Sequence, residues 1–236
     1  MKTGFWQPDS LRTVDGHAAK VELKVVVPEQ DSRSLGIDAQ RGQARRVYFL
    51  DTPSRDLYRH GVIVRFRDRP HEHDDAVIKL RPVVPGRGPG RLRGFHVEID
   101  ALPGKAVCSG ALKKRLGRHE VARALAAGDP LTDLLSPRQR KLLRKYAPDG
   151  LRLADLTAYG PIDVRCHSLK LPGLDRGLTA ERWRYPDGSD LLELSTRCPV
   201  GQAARVAARV SSALRAYGVL PADNQLTKTE MALLTS

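Results

Sequence analysis

Five stretches of this chain alternate apolar and charged residues, and their charged sides are almost purely ionic. In KVELKVVV, residues 20–27, Val21, Leu23 and Val25 share one side while Lys20, Glu22 and Lys24 share the other. From Val62 to Asp68, Ile63, Arg65 and Arg67 stand against Val62, Val64 and Phe66. AVIKLRP sets Lys79 and Arg81 opposite Ile78 and Leu80, and FHVEID sets His96, Glu98 and Asp100 opposite Val97 and Ile99. DLLELS carries Glu193 alone among leucines. Side chains at i and i+2 of a strand point the same way, so each charged pair projects from one face. Taken singly, each stretch reads as a half-buried strand with a solvated side. Together, with the pairs largely sorted by sign, they point to strands closed into a barrel. Cations and carboxylates then share one lumen, and the apolar sides face outward beneath helices. In such a lumen Arg and Lys hold phosphate oxygens, and carboxylates hold Mg²⁺ or Mn²⁺.

Further signals set the order of elements. Strands are expected over Lys20–Val27, Arg46–Leu50, Val62–Asp68, 76–82, 95–100, Gly160–Lys170, Thr179–Tyr185 and Asp190–Ser195. Asp31-Ser32 can cap a short helix over Arg33–Arg41. Asp51-Thr52-Pro53 reads as a turn, Arg55–His60 as a helical turn closed by Gly61, and Pro186-Asp187-Gly188 as a hairpin turn. Residues 106–146 show helical spacing, with Ser136-Pro137 starting a helix that ends at Lys145. Pro199–Gly218 is amphipathic, and DNQLTKTEMALL forms a last helix. The expectation is a single α+β domain over 1–236. It is a closed, antiparallel, eight-stranded β-barrel with helices outside, a loose arm at 1–18, a helical insertion at 106–146 and C-terminal helices at 199–236.

Composition narrows the function. The chain has 236 residues, 41% hydrophobic and 28% charged, which suits a packed core. Its 40 Lys and Arg outnumber 27 Asp and Glu, for a net charge of +13, so an anionic partner is expected. No apolar run approaches the roughly 18 residues of a membrane span. The first residues lack the apolar centre of a secretory signal. Cys108, Cys166 and Cys198 are too scattered for a disulfide framework or a zinc site. These features suggest a cytoplasmic protein with reduced thiols. His71, His73 and their acidic neighbours read as a solvated loop. The basic runs at 113–118 and 138–145 read as exposed helix faces. Aromatic residues make up only 5% of the chain, a poor basis for stacking nucleic-acid bases. GRGPGRLRG at 86–94 lacks the ending of a phosphate-binding P-loop and the dinucleotide glycine pattern.

The ordered motifs resemble the CYTH superfamily, the triphosphate tunnel metalloenzymes. They are VELK at 21–24, YFLDT at 48–52, GVIVRFR at 61–67, IKL at 78–80, VEID at 97–100 and LLELS at 191–195. The resemblance covers about residues 20–234 and implies an eight-stranded antiparallel tunnel. The family's E-x-E-x-K strand here reads K-x-E-x-K, with Lys20 in the first place. Its late E-x-E reads L-x-E, with Leu191 and Glu193. By resemblance, Lys24, Arg65, Arg67, Lys79, Arg81, Arg165 and Lys228 bind substrate phosphates. Glu22, Glu98, Asp100, Glu181 and Glu193 are the metal candidates, and Glu22 and Glu193 the catalytic ones.

The resemblance implies a Mg²⁺- or Mn²⁺-dependent hydrolase of tripolyphosphate, thiamine triphosphate or a nucleoside triphosphate. Two alternatives stand beside it. One is a non-catalytic barrel that binds polyphosphate, a nucleotide or RNA. The other is a class IV adenylyl cyclase, using the same cradle with a ribose hydroxyl as nucleophile. The expected partner is a triphosphate or polyphosphate, with nucleic acid the weaker candidate and no membrane.

Overall fold

The alternating stretches do form strands. The computed structural model describes residues 5–6, 18–38, 40–83, 88–89 and 92–234. Among the described residues there are nine strands: β1 Lys20–Val27, β2 Gln43–Asp51, β3 Val62–Asp68, β4 Asp75–Leu80, β5 Phe95–Leu102, β6 Lys105–Arg115, β7 Thr157–Leu169, β8 Leu178–Arg184 and β9 Asp190–Pro199. They close into a barrel in the order β1-β5-β6-β4-β3-β2-β7-β8-β9. Closure removes sheet edges, and side chains alternate between lumen and exterior along every strand.

Two expectations about the barrel need correction. It has nine strands rather than eight, because residues 105–115 form β6 where helical spacing was read. It is not wholly antiparallel, because β1 runs parallel to β5, with Glu22 opposite Asp100. The remaining pairs are antiparallel.

Smaller differences are local. The helix expected over Arg33–Arg41 is replaced by a 3₁₀ turn at Glu29–Ser32 and further turns at 33–36, where Gly36 has a φ of 67°. The helices are α1 Asp56–Arg59, α2 Glu120–Ala127, α3 Pro137–Tyr146, α4 Ala203–Ala216 and α5 Lys228–Leu234. Of the arm at 1–18, the described Phe5 and Trp6 are docked rather than loose. Both are buried, and Trp6 Nε1 donates to Ala101 O at 2.8 Å. The other arm residues through 17 lie outside the described set.

Two apolar sheaths cover the barrel's exterior. Val21, Leu23, Val25, Ile99, Leu192 and Leu194 pack against Ala207, Val210 and Leu214 of α4. Val62, Val64, Phe66, Ile78 and Leu112 pack against Leu57, Val121, Leu142 and Leu143 of α1, α2 and α3. Each such side chain contributes about 1.5–3 kcal/mol when fully buried. A third cluster lies within the lumen. Val26, Val47, Phe49, Ile63, Ile162, Val164, Trp183 and Leu191 meet Ala232 and Leu233 of α5 there. One part of the lumen is therefore apolar, and the charged residues occupy the rest.

Candidate functional site: a charged lumen

Pairing register decides which side chains meet inside. Glu22 lies opposite Asp100 on β5 and Arg197 on β9. Lys79 on β4 lies opposite Ile63, Val77 opposite Arg65, and Asp75 opposite Arg67. Glu181 lies opposite Glu193. Residues directly opposite one another share a face, so these all project inward.

Asp100 is the hub. Lys24 Nζ donates to its Oδ1 at 2.7 Å, and Lys79 Nζ and Ser109 Oγ donate to its Oδ2 at 2.7 and 2.8 Å. Arg81 lies 3.2 Å from the same Oδ2. Burial pushes the Asp100 carboxyl up, but Lys24, Lys79 and Arg81 outweigh it and hold the group far below the ordinary range. Lys24 also pairs with Glu22 at 2.8 Å. Burial lowers its ammonium, yet Glu22 and Asp100 prevail and raise it. Lys79 goes the other way. Burial and the neighbouring Lys24 bring it down to about 8 despite Asp100.

Arg197 ties two further carboxylates, lying 2.9 Å from Glu22 and 3.4 Å from Glu98. Glu22, Glu98 and Asp100 each offer an oxygen within 4.8 Å of the others. That all-oxygen donor set and its compactness fit a hard divalent cation. Elsewhere in the lumen, Lys228 of α5 bridges Glu181 and Glu193, lying 2.7 Å from Glu193 Oε1. Glu193 Oε1 nonetheless accepts no hydrogen bond. The five candidate metal carboxylates thus fall into two groups, one of three and one of two.

Arg65 differs from the other cations. Its Nε is buried with no hydrogen-bond partner, and among the described residues the nearby Asp75, Glu181 and Glu22 act on it without a direct ion pair. Burial and the adjacent Arg67 bring its guanidinium down to about 10. It lines a cavity of about 50 Å³ with Lys24, Lys79, Arg81, Glu193 and Lys228. Arg67 is instead held by Asp75, at 2.8 Å from both Nε and a terminal nitrogen.

The lumen gathers all but one of the expected site residues. Arg165 is exposed on the outer face of β7, because Ile162, Val164 and Cys166 take the inward positions. Lys20 is exposed at the start of β1, and Leu191 sits in the apolar lumen cluster. Inward charges that were not singled out in the sequence include Arg45, Asp75, Lys113 and Arg197. Arg197 is four residues past Glu193 and so shares its face, which was a usable signal. Arg45 precedes the strand that alternation marked, and Asp75 was absorbed into a loop reading.

These features define a barrel whose interior is a charged tunnel. Solved structures of similar fold exist at low sequence identity. A candidate adenylate cyclase from Bacillus halodurans aligns with a TM-score of 0.59 and 13% identity, over 93% of this chain and 98% of that one. HpAC1 from Hippeastrum, a candidate adenylyl cyclase described as having a dominant triphosphatase activity, aligns with a TM-score of 0.59 and 14% identity, over 90% and 94%. No protein-family model and no curated protein matches the sequence.

Proposed function

We propose that the chain is a one-domain member of the CYTH superfamily that hydrolyses a triphosphate-containing molecule inside its tunnel. The observation that carries this reading is Arg65, which lines the cavity with its Nε buried and no hydrogen-bond partner on it. A buried cation without a partner is costly, and an anion that enters removes that cost. Arg65, Lys79 and Arg81 line one wall, so a chain of phosphate oxygens can be held at successive points. The same cations offset charge as it shifts onto the leaving phosphate, and a fixed array does so without reorganising.

Glu193 lines this cavity, its Oε1 held 2.7 Å from the Lys228 ammonium. It accepts a proton from the attacking water as the new P–O bond forms and the anhydride P–O bond breaks. Glu22, Glu98 and Asp100 would hold Mg²⁺ or Mn²⁺, which supplies charge neutralisation at phosphate oxygens. A second reading, a binder without turnover, is favoured by one feature. Each of those three carboxylates is already paired with lumen cations.

Phosphate release from tripolyphosphate, thiamine triphosphate, ATP and GTP, with Mg²⁺ or Mn²⁺, tests both readings beside a cyclic AMP assay. Metal-dependent release is expected for at least one substrate. Arg65→Ala should weaken its binding about tenfold or more, the scale of a lost charge-assisted hydrogen bond. Binding without release would establish the non-catalytic reading. Cyclic AMP as the main product would replace hydrolase with cyclase.

A further inference from the structure

A second basic site lies outside the cavity that holds Arg65. A cleft of about 690 Å³ is lined by Arg45, Arg46, Arg165, Arg182 and Arg184, with Asp163 as its one carboxylate. Register explains its charge. Arg165 on β7 lies directly opposite Arg182 on β8, with Ala44 on the other side of Arg165. Like charges directly opposite on neighbouring strands repel. The acids nearby do not cancel them all. Arg182 reaches Glu29 at 3.0 Å and Asp190 at 3.3 Å, and Arg184 shares Asp190. Arg182 Nε stays buried without a partner, and Arg165 has no counter-ion among the described residues. Arg45 joins the cleft to the lumen, since it also lies 3.6 Å from Glu181.

The chemistry of the lining narrows the ligand. Its basic side chains are all arginines, whose forks match phosphate oxygens. No aromatic residue lines the cleft among the described residues, so bases would find nothing to stack on. We propose that this cleft is a second phosphate site, and that it takes the overhanging part of a linear polyphosphate whose end lies in the lumen. The assignment rests on the triphosphate reading of the lumen. A bound phosphate chain relieves the repulsion between Arg165 and Arg182, and the junction at Arg45 lets one chain occupy both places.

Calorimetric titration with tripolyphosphate, long-chain linear polyphosphate and single-stranded poly(U) tests the proposal at one fixed salt concentration. The variant is Arg46→Ala/Arg165→Ala, two side chains on the outer face. Wild-type protein is expected to bind the long chain more tightly than tripolyphosphate. The variant should lose about tenfold in long-chain affinity, the scale of one charge-assisted contact, and keep its tripolyphosphate affinity and melting temperature. An unchanged long-chain affinity, or an equal loss for both phosphates, overturns the proposal. Poly(U) binding that exceeds long-chain binding and falls in the variant overturns the choice of ligand. If the long chain binds and is lost in the variant while tripolyphosphate never binds wild type, the cleft stands and the lumen reading fails.

Discussion

Asp75 is 1% exposed and faces cations from three elements. Arg67 pairs with it at 2.8 Å, Arg69 at 2.5 Å and Lys113 at 3.2 Å. Burial pushes its carboxyl up, but Arg67, Arg69 and Arg65 together bring it below its ordinary value. A group whose folded pKa is depressed adds stability above its unfolded pKa of about 3.9, and that stability is lost as pH falls through the folded value. Asp75→Asn removes the charge and leaves Arg67 without its carboxylate partner, at a cost of about 3 kcal/mol. Urea denaturation should show that gap steady from about pH 7 to pH 5 and shrinking below about pH 4. A gap that does not change with pH would show that Asp75 acts through packing alone. Legibility at this scale followed the sidedness of each strand. Where the charged side faces inward, as at Arg65, Lys79 and Asp100, alternation marked the residues that share the lumen. On β7 the apolar side faces the lumen, and Arg165, named by the family resemblance rather than by alternation, lies on the outer face.

Among the elements, α3 shows how a helix is fixed over the barrel. Ser136 caps it, with Gln139 N donating to Ser136 Oγ at 3.2 Å and Ser136 N to Gln139 Oε1 at 3.1 Å. Gln139 is fully buried, and its Nε2 also donates to Ala76 O at 2.9 Å and Leu112 O at 3.0 Å. One side chain thus caps the helix and docks it on β4 and β6. Gln139→Leu keeps the bulk but leaves two buried carbonyls without this donor, so about 2 kcal/mol of stability should be lost. Chemical denaturation would measure it, and a loss within a few tenths of a kcal/mol would mean the carbonyls find water. The Ser136-Pro137 start was plain in the sequence, whereas β6 was not. Its centre, Cys108-Ser109-Gly110-Ala111, is small on both faces and so carries no alternation of size or polarity. The reason is spatial. A Cβ on Gly110 would lie 2.2 Å from the Phe95 ring, and Ser109 Oγ reaches Asp100 in the lumen. Strand β6 is shaped by side chains of β5 across the hairpin, and the pattern along β6 itself does not reveal them.

For the molecule as a whole, the net charge of +13 gives any polyanion a long-range attraction, whatever site it finally occupies. Salt separates the sites, because exposed charges are screened far more than buried ones. Arg65 is buried in a narrow cavity, whereas Arg46 and Arg184 keep 57% and 58% of their side-chain exposure. If tripolyphosphate binds in the lumen as proposed, it should stabilise the folded state by about 2.7 kcal/mol at roughly a hundred times its Kd. For a chain of this size that corresponds to a melting-temperature rise of about 5–10 °C. Scanning calorimetry should show the rise at low salt. It should largely survive about 1 M salt at the same ligand concentration, where the screening length is about 3 Å. At the wild-type ligand concentration, Arg65→Ala should cut it to about half or less, because a tenfold weaker Kd leaves about 1.4 kcal/mol. A rise that Arg65→Ala leaves intact and high salt removes would place the triphosphate on the outer arginines, and the tunnel would then be a structural core.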